Sequence, residues 1–256
     1  MCLILLAIKA HPEYRLILAA NRDEFYERPS ESPAFWHEAP DLLAGRDLRG
    51  GGTWFGITRK GRIAAITNYR DPASQKENAP SRGKLVKDFL LGEEPPHEYL
   101  AGVRRTGAGY NGFNLVVGDG DQFYWYSNRG DRVTGISSGL HGISNHLLDS
   151  PWPKVSKGKE QLARALQERH GPISEALFEL LRDRTPAPDE ALPRTGVSLE
   201  WERVLSSIFI WSPTYGTRSS TLVFIDQEDR VTLFDRTFNG NADPVSSAVF
   251  EFPLET

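Results

Sequence analysis

The 256-residue chain has one cysteine, Cys2, and one methionine, Met1. A single thiol can neither close an intramolecular disulfide nor build a cysteine-rich zinc site, which fits a reducing compartment and makes a cytoplasmic location the expectation. No metal site is expected. The apolar run at the start, CLILLAI over residues 2–8, is far short of the roughly 20 residues of a membrane span. It follows no basic stretch and precedes no small-residue cleavage pattern, so it reads as a strand, and no stable membrane insertion is expected. Excess charge is also scarce: 30 Lys and Arg against 34 Asp and Glu give a formal −4 without any basic stripe, which argues against a nucleic-acid partner. There are no repeats, no low-complexity tracts, no Cys-x-x-Cys-His haem attachment sequence and no phosphate loop. With 39% hydrophobic side chains, the chain is large enough for a core that needs no staple, and a single domain over 1–256 is expected.

The chemistry that is present starts at the chain's beginning. Methionine aminopeptidases remove an initiator Met ahead of a side chain as small as cysteine, which would leave Cys2 with both a thiol and a free α-amine. The thiolate can attack an acyl carbon, and the amine, with a free pKa of about 7.7–8.0, can relay the proton without a histidine. The alternative is a small apolar residue opening a buried strand, the commoner state of free cysteines.

Residues 2–8 and 14–20 are β-rich runs joined through His11 and Pro12, a hairpin apolar at nearly every position, as in strands covered on both faces. A polar, proline-marked stretch over 28–40 separates it from a second hairpin, 53–58 with 62–68. Ser81 to Leu91 starts with a capping-type serine and has helical spacing. Short β-type runs follow at 111–118, 122–127, 132–136 and 140–144, then helical patterns from Lys157 to Arg169 and from Ser174 to Arg182. A proline-rich surface loop, 184–196, precedes strands at 219–225, 231–237 and 246–252. Strands at both ends with helices in the middle predict an α+β fold, a four-layer α/β/β/α sandwich of antiparallel sheets.

Four polar constellations stand out. Asn21, Arg22, Asp23 and Glu24 follow the second strand, whose hairpin partner starts at the chain's first residues, so Asp23 is within reach of an amine there; as a bland alternative the tetrad is a solvated turn. Gly45-Arg46-Asp47 and Gly50-Gly51-Gly52 form a flexible segment whose backbone could approach a ligand, and a tight loop explains them equally well. Asn145 and Asn68, both at strand ends, carry amides able to donate to an oxyanion, or simply terminate strands. Arg218 precedes an apolar strand as a buried or a surface cation.

Taken in order, Cys2, Asn21 to Glu24, Gly45-Arg46-Asp47, Gly51-Gly52-Thr53-Trp54, Thr67-Asn68-Tyr69-Arg70, Ser81-Arg82-Gly83, Ser144-Asn145 with Pro151-Trp152-Pro153-Lys154, and Tyr215-Gly216-Thr217-Arg218-Ser219 resemble the signature of the NRDE family, which includes Transport and Golgi organisation protein 2. A fainter resemblance links the chain to cysteine N-terminal nucleophile hydrolases such as bile salt hydrolase and penicillin V acylase. It implies Cys2 as nucleophile, its α-amine as base, Asp23 orienting that amine, Asn145 and Asn68 as oxyanion donors, and Arg218 as a late cation. The early arginine of those enzymes falls on Ala20, and Arg22, two residues on, shares that face if the strand continues. Asn21, Trp54, Tyr69 and Trp152 are then expected to line a small-molecule substrate with a linear amide or acyl bond, and no cofactor is required. The NRDE resemblance also implies an alternative, a carrier of haem or an amphipathic lipid or acyl ligand, with His146, or His141, as the axial donor to haem.

Overall fold

The computed structural model describes residues 3–130, 132–168 and 171–255. In chain order it contains strands β1 (Leu3–Ile8), β2 (Tyr14–Phe25), β3 (Ser30–Trp36), β4 (Ala39–Asp47), β5 (Phe55–Thr58) and β6 (Ile63–Asn68) and helices α1 (Gly83–Leu91) and α2 (Pro96–Thr106). Next come β7 (Phe113–Gly118), β8 (Phe123–Ser127), β9 (Thr134–Ile136), β10 (Gly139–Ile143), α3 (Pro153–Ala165), α4 (Ile173–Leu181), α5 (Leu199–Val204), β11 (Tyr215–Asp226), β12 (Arg230–Phe238) and β13 (Pro244–Pro253). The fold is α+β with two antiparallel sheets, and the chain divides into two compact units.

The first unit comprises residues 1–27, 138–144 and 148–251. Its sheet has the order β10-β1-β2-β11-β12-β13. On β1, Leu3, Leu5 and Ala7 pack with Ile17 and Ala19 of β2 against Val155 and Leu162 of α3 and Leu177, Phe178 and Leu181 of α4. The alternate residues Ile4, Leu6 and Ile8 are buried too, which is why the sequence shows an unbroken apolar run instead of period-2 alternation. Each such Leu or Ile contributes about 1.5–3 kcal/mol of burial, so this hairpin anchors the unit. Helix α3 starts four residues before the expected Lys157, because Pro153 occupies its first turn, where a missing N–H costs nothing. Its expected end, Arg169, lies outside the described residues.

The second unit comprises residues 28–137, 145–147 and 252–256. Its seven strands run in sequence order, β3 through β9, as a meander carrying α1 and α2. The polar, proline-marked stretch 28–40 contributes β3 and the start of β4, which pair as an antiparallel hairpin with Ala34 opposite Ala44. Helix α1 buries Leu85, Val86, Phe89 and Leu90 as the spacing predicts, but its cap is Arg82, with no side-chain cap bond, so Ser81 does not fill that role.

Of the two readings of the glycine segment, a flexible segment or a tight loop, the structure has the tight one. A Cβ on Gly45 would fall 2.4 Å from the Trp54 ring, so that indole lies directly on the strand backbone. Asp47 accepts from the N–H groups of Arg49 (3.1 Å) and Gly50 (3.2 Å) and pairs with Arg28 at 2.7 Å. Burial alone would raise its carboxyl pKa, but Arg28 and these two N–H groups outweigh burial and leave it below the usual carboxylate value. Gly52 then passes against the start of α1, where its Cβ would meet the Gly83 carbonyl carbon and oxygen at 2.5 Å. The backbone at Gly52 thus approaches another backbone segment. Gly52→Ala is expected to cost about 2–3 kcal/mol or more, since neither partner is a movable side chain. Gly109→Ala, with nothing within 4 Å, should change stability by less than about 1 kcal/mol. Equal urea midpoints for the two variants would contradict this contact.

Candidate active site

Strand β2 does not stop where its apolar residues stop. It continues to Phe25 because β11 pairs with its polar half, Ser220 opposite Asn21, Ser219 opposite Arg22 and Thr217 opposite Asp23, with a bulge at Arg218. The tetrad expected to follow the strand is therefore part of it, and Asn21, Arg22 and Asp23 are all buried. On the other side Leu3 pairs with Asn21, so the first described residue of the chain lies beside this polar run. Cys2, the expected nucleophile, lies outside the described residues.

Alternation along β2 divides the tetrad between two faces. Asn21 and Asp23 share the face of Leu3 and Ala19. The Asn21 amide donates to the carbonyls of Leu181 (2.8 Å) and Ile208 (2.9 Å), and its oxygen accepts from the Ser220 hydroxyl at 2.6 Å. These three bonds fasten the end of α4 and the 205–210 segment to the sheet. Asp23 is held by a relay in which the Ile210 N–H donates to Thr217 Oγ1 (2.9 Å) and that hydroxyl donates to the carboxylate (2.7 Å). Arg218, bulged out of the ladder, donates from Nη1 to the carbonyls of Phe25 and Tyr26, each at 3.1 Å, and so braces the end of β2.

Arg22 lies on the opposite face, the face of Ala20. It heads a polar stripe that crosses three strands, with Arg22, Ser219, Thr221 and Asp235 buried and Thr237 partly so. Asp235 accepts from Thr221 (2.7 Å) and more weakly from Thr237 (3.3 Å). Burial drives its pKa up to about 6, against the opposing pull of those hydroxyls and of the Arg22 charge. Ser219 Oγ is buried with no hydrogen-bond partner among the described residues. Neither Asp235 nor Thr217 was among the expected site residues. The signal was present, since Thr232, Phe234 and Arg236 alternate with Val231, Leu233, Asp235 and Thr237, which puts an acid on the buried side of β12.

In the second unit, two of the quoted motifs meet. Residues 145–147 lie along the end of β6: the Arg70 N–H donates to the Asn145 carbonyl (2.8 Å), the Asn145 amide donates to the Asn68 carbonyl (2.9 Å), and the Arg70 guanidinium reaches Asn145 Oδ1 at 3.4 Å. The Tyr69 and His146 rings are 5.1 Å apart. Asn114 secures the segment by donating to the His146 carbonyl (2.9 Å) and to Thr67 Oγ1 (3.1 Å) while accepting from the Trp125 indole (3.2 Å). Burial raises the Tyr69 phenol and lowers the His146 imidazole, which favours the neutral ring. Trp54 is packed on Gly45, and Trp152, at the start of α3, packs against the helix-side core of the first unit. His141 shares a different network there: Asp149 meets its Nδ1 at 2.7 Å and accepts from Lys159 (2.6 Å) and the Gly142 N–H (3.0 Å). Among the described residues no group of three or more His, Cys, Asp or Glu could hold a metal ion, and no helix is long and apolar enough to cross a membrane.

Comparison with known proteins adds a family and a fold neighbour. Residues 1–240 match the family model described as Transport and Golgi organisation 2. The chain is 37% identical over 280 residues to the Transport and Golgi organization protein 2 homolog of Bos taurus and 34% identical over 278 residues to that of Homo sapiens, all of each chain being covered. Among solved structures, it is similar to a conjugated bile acid hydrolase variant from Clostridium perfringens, with a TM-score of 0.49 and 10% identity over 98% of this chain and 92% of that one.

Two outcomes follow from the first unit's geometry. Asn21→Ala strands two buried carbonyls and a hydroxyl, and is expected to cost about 3–5 kcal/mol in denaturant titrations. For Asp235, the folded pKa lies above the unfolded value of 3.8. Its stabilising contribution is therefore complete below about pH 4 and is lost as pH rises through 6, up to about 3 kcal/mol. Asp235→Asn should match wild type at pH 4 and be more stable at pH 7.5. A variant of equal or lower stability at pH 7.5 would show that the carboxyl ionises there without penalty.

Proposed function

The chain belongs to the Transport and Golgi organisation 2 family, and we propose that this member is a cysteine N-terminal nucleophile hydrolase acting on a linear amide or related acyl bond in a small molecule. The observation that carries this reading is the register of Leu3 with Asn21, which brings the start of the chain alongside the buried charges of β2. Cys2 is joined to Leu3 by one peptide bond. Arg22 and Asp23 are both buried, and a thiol with a free amine is a use for each.

In this mechanism, removal of Met1 frees the α-amine, which takes the Cys2 thiol proton. The thiolate attacks the acyl carbon, and the resulting ammonium returns the proton to the departing amine, leaving a thioester. Water then attacks the thioester while the α-amine accepts its proton, and the acid is released as the thiol is restored. Asp23, fixed by Thr217, orients the amine. Because β2 continues to Phe25, Arg22 occupies the face of Ala20 and can supply the positive field that lowers the thiol pKa. Arg218 adds its charge while bracing the end of the strand.

The test starts with intact mass, which reports whether Met1 is removed. In processed protein, Cys2→Ala should abolish turnover across a panel of acyl amides, and Asp23→Asn should lower kcat by about 100-fold or more. The alkylation rate of Cys2 should follow a pKa below the free value of about 8.5. A thiol pKa at or above that value, or no turnover by processed protein on any amide, would remove the hydrolase assignment. A haem Soret shift that survives Cys2→Ala without turnover would favour the carrier reading, since burial keeps His146 in its neutral, ligating form.

A further inference from the structure

Two rows of side chains cross the first unit's sheet on the face of Ala20. Arg22, Ser219 and Thr237 form one and Ala20, Thr221 and Asp235 the next, because Ser219 pairs with both Arg22 and Thr237, and Thr221 with both Ala20 and Asp235. With neighbouring strands about 4.8 Å apart, Asp235 stands two strands from Arg22 and one row along. Between them lies the Ser219 hydroxyl, buried and without a hydrogen-bond partner among the described residues. Native proteins seldom leave a buried hydroxyl unsatisfied. Here it is an acceptor beside a guanidinium that carries five N–H donors, on the way from Arg22 to Asp235.

Asp235 is built as a buried counter-charge. Thr221 and Thr237 donate to its two oxygens, so the carboxyl is fixed from β11 and from its own strand. On β2 this face carries Arg22 and, at its far end, Glu24; β11 adds Ser219 and Thr221; on β13 the titratable residue is Glu251, which is exposed. Of these charges it is that of Arg22 that acts on Asp235 among the described residues. The pull is mutual. The Arg22 charge favours the ionised carboxyl, and the ionised carboxyl offsets part of the Arg22 field.

From this juxtaposition we propose that Asp235 is a positioning residue for the Cys2 chemistry, the counter-charge that draws the Arg22 guanidinium along the stripe over Ser219 and so sets how much positive field the thiol receives. The inference rests on the proposed action of Arg22 on that thiol. As pH falls through about 6 the Asp235 carboxyl takes up a proton. The Arg22 charge is then no longer offset, and the thiol pKa is lowest in mild acid.

The readout is the pH dependence of Cys2 alkylation by iodoacetamide in Met1-processed protein, which reports the thiol pKa. Asp235→Asn keeps an oxygen for Thr221 while removing the charge, and should lower the thiol pKa by about 0.5 unit or more. In an Arg22→Gln background, with no cation left to offset, the same substitution should shift it by less than about 0.2 unit. Thermal midpoints at pH 6 identify the folded variants, and Arg22→Met takes the place of Arg22→Gln if that variant is unfolded. An unchanged thiol pKa in Asp235→Asn overturns the assignment even if the midpoint moves, since a purely structural carboxyl gives that pattern. An equal shift in both backgrounds overturns it as well, because Asp235 then acts as a distant charge without Arg22. The two readings fail separately: a wild-type thiol pKa at or above about 8.5 removes the hydrolase, whereas a depressed pKa that does not respond to Asp235→Asn removes only the role of Asp235.

Discussion

The pairing of β11 with the polar half of β2 is the constraint on which the first unit rests. Without it, the strand that begins as an apolar hairpin partner would end near Ala20, and Asn21, Arg22 and Asp23 would be solvated. With it, three polar side chains are carried into the interior, where each must be satisfied. Asn21 meets that demand by bonding two backbone carbonyls and a serine hydroxyl, and in doing so fixes where α4 and the 205–210 segment sit. Among the described residues, Asp23 meets it at Oδ1 alone, through Thr217, which is itself positioned by Ile210. Burial of the charged end of β2 and docking of the helix layer are thus one arrangement.

A second consequence is the separation of charges by face. Strand alternation sends Asp23 toward the helix layer and Arg22 toward the stripe that ends in Asp235 and Thr237. The Asp23 carboxylate and the Arg22 guanidinium are therefore on opposite faces of the sheet and do not neutralise one another across a single side of it. Asp235, lifted to about 6 by burial, lies on Arg22's side, and its charge state alters the field there in the range of mild acidity.

The outline of the fold was legible where local signals and tertiary environment agree. The β1–β2 hairpin, the β5–β6 hairpin, α1, α4 and the last three strands follow from apolar runs and spacing that any environment would reinforce. The errors share a cause. Residues 28–47 and 96–106 lack strong local pattern, and the elements there are held by neighbours, β4 by β5 with Leu43 opposite Ile57 and α2 by β8. The glycine segment 45–52 reads as loose or tight alike because glycine is permissive, and here it permits Trp54 to lie on Gly45 and Gly52 to touch Gly83. Close approach and flexibility have the same sequence signature.

The sequence by itself determined the residue types and their order: a single thiol behind Met1, an acid and a base at the end of the second strand, and short motifs distinctive enough to mark the family. It also determined the α+β class, because hydrophobic period is a local property. Only the tertiary structure decided which residues meet. Thr217 on Asp23, Ser220 on Asn21, and Arg70 on Asn145 are contacts across as many as 199 positions, set by strand register. A shift of one residue would send every side chain to the other face, and nothing within the tetrad itself fixes that register. Asn21 shows the difference most plainly: its amide could have met a substrate or the protein, and two backbone carbonyls from distant segments decided the matter.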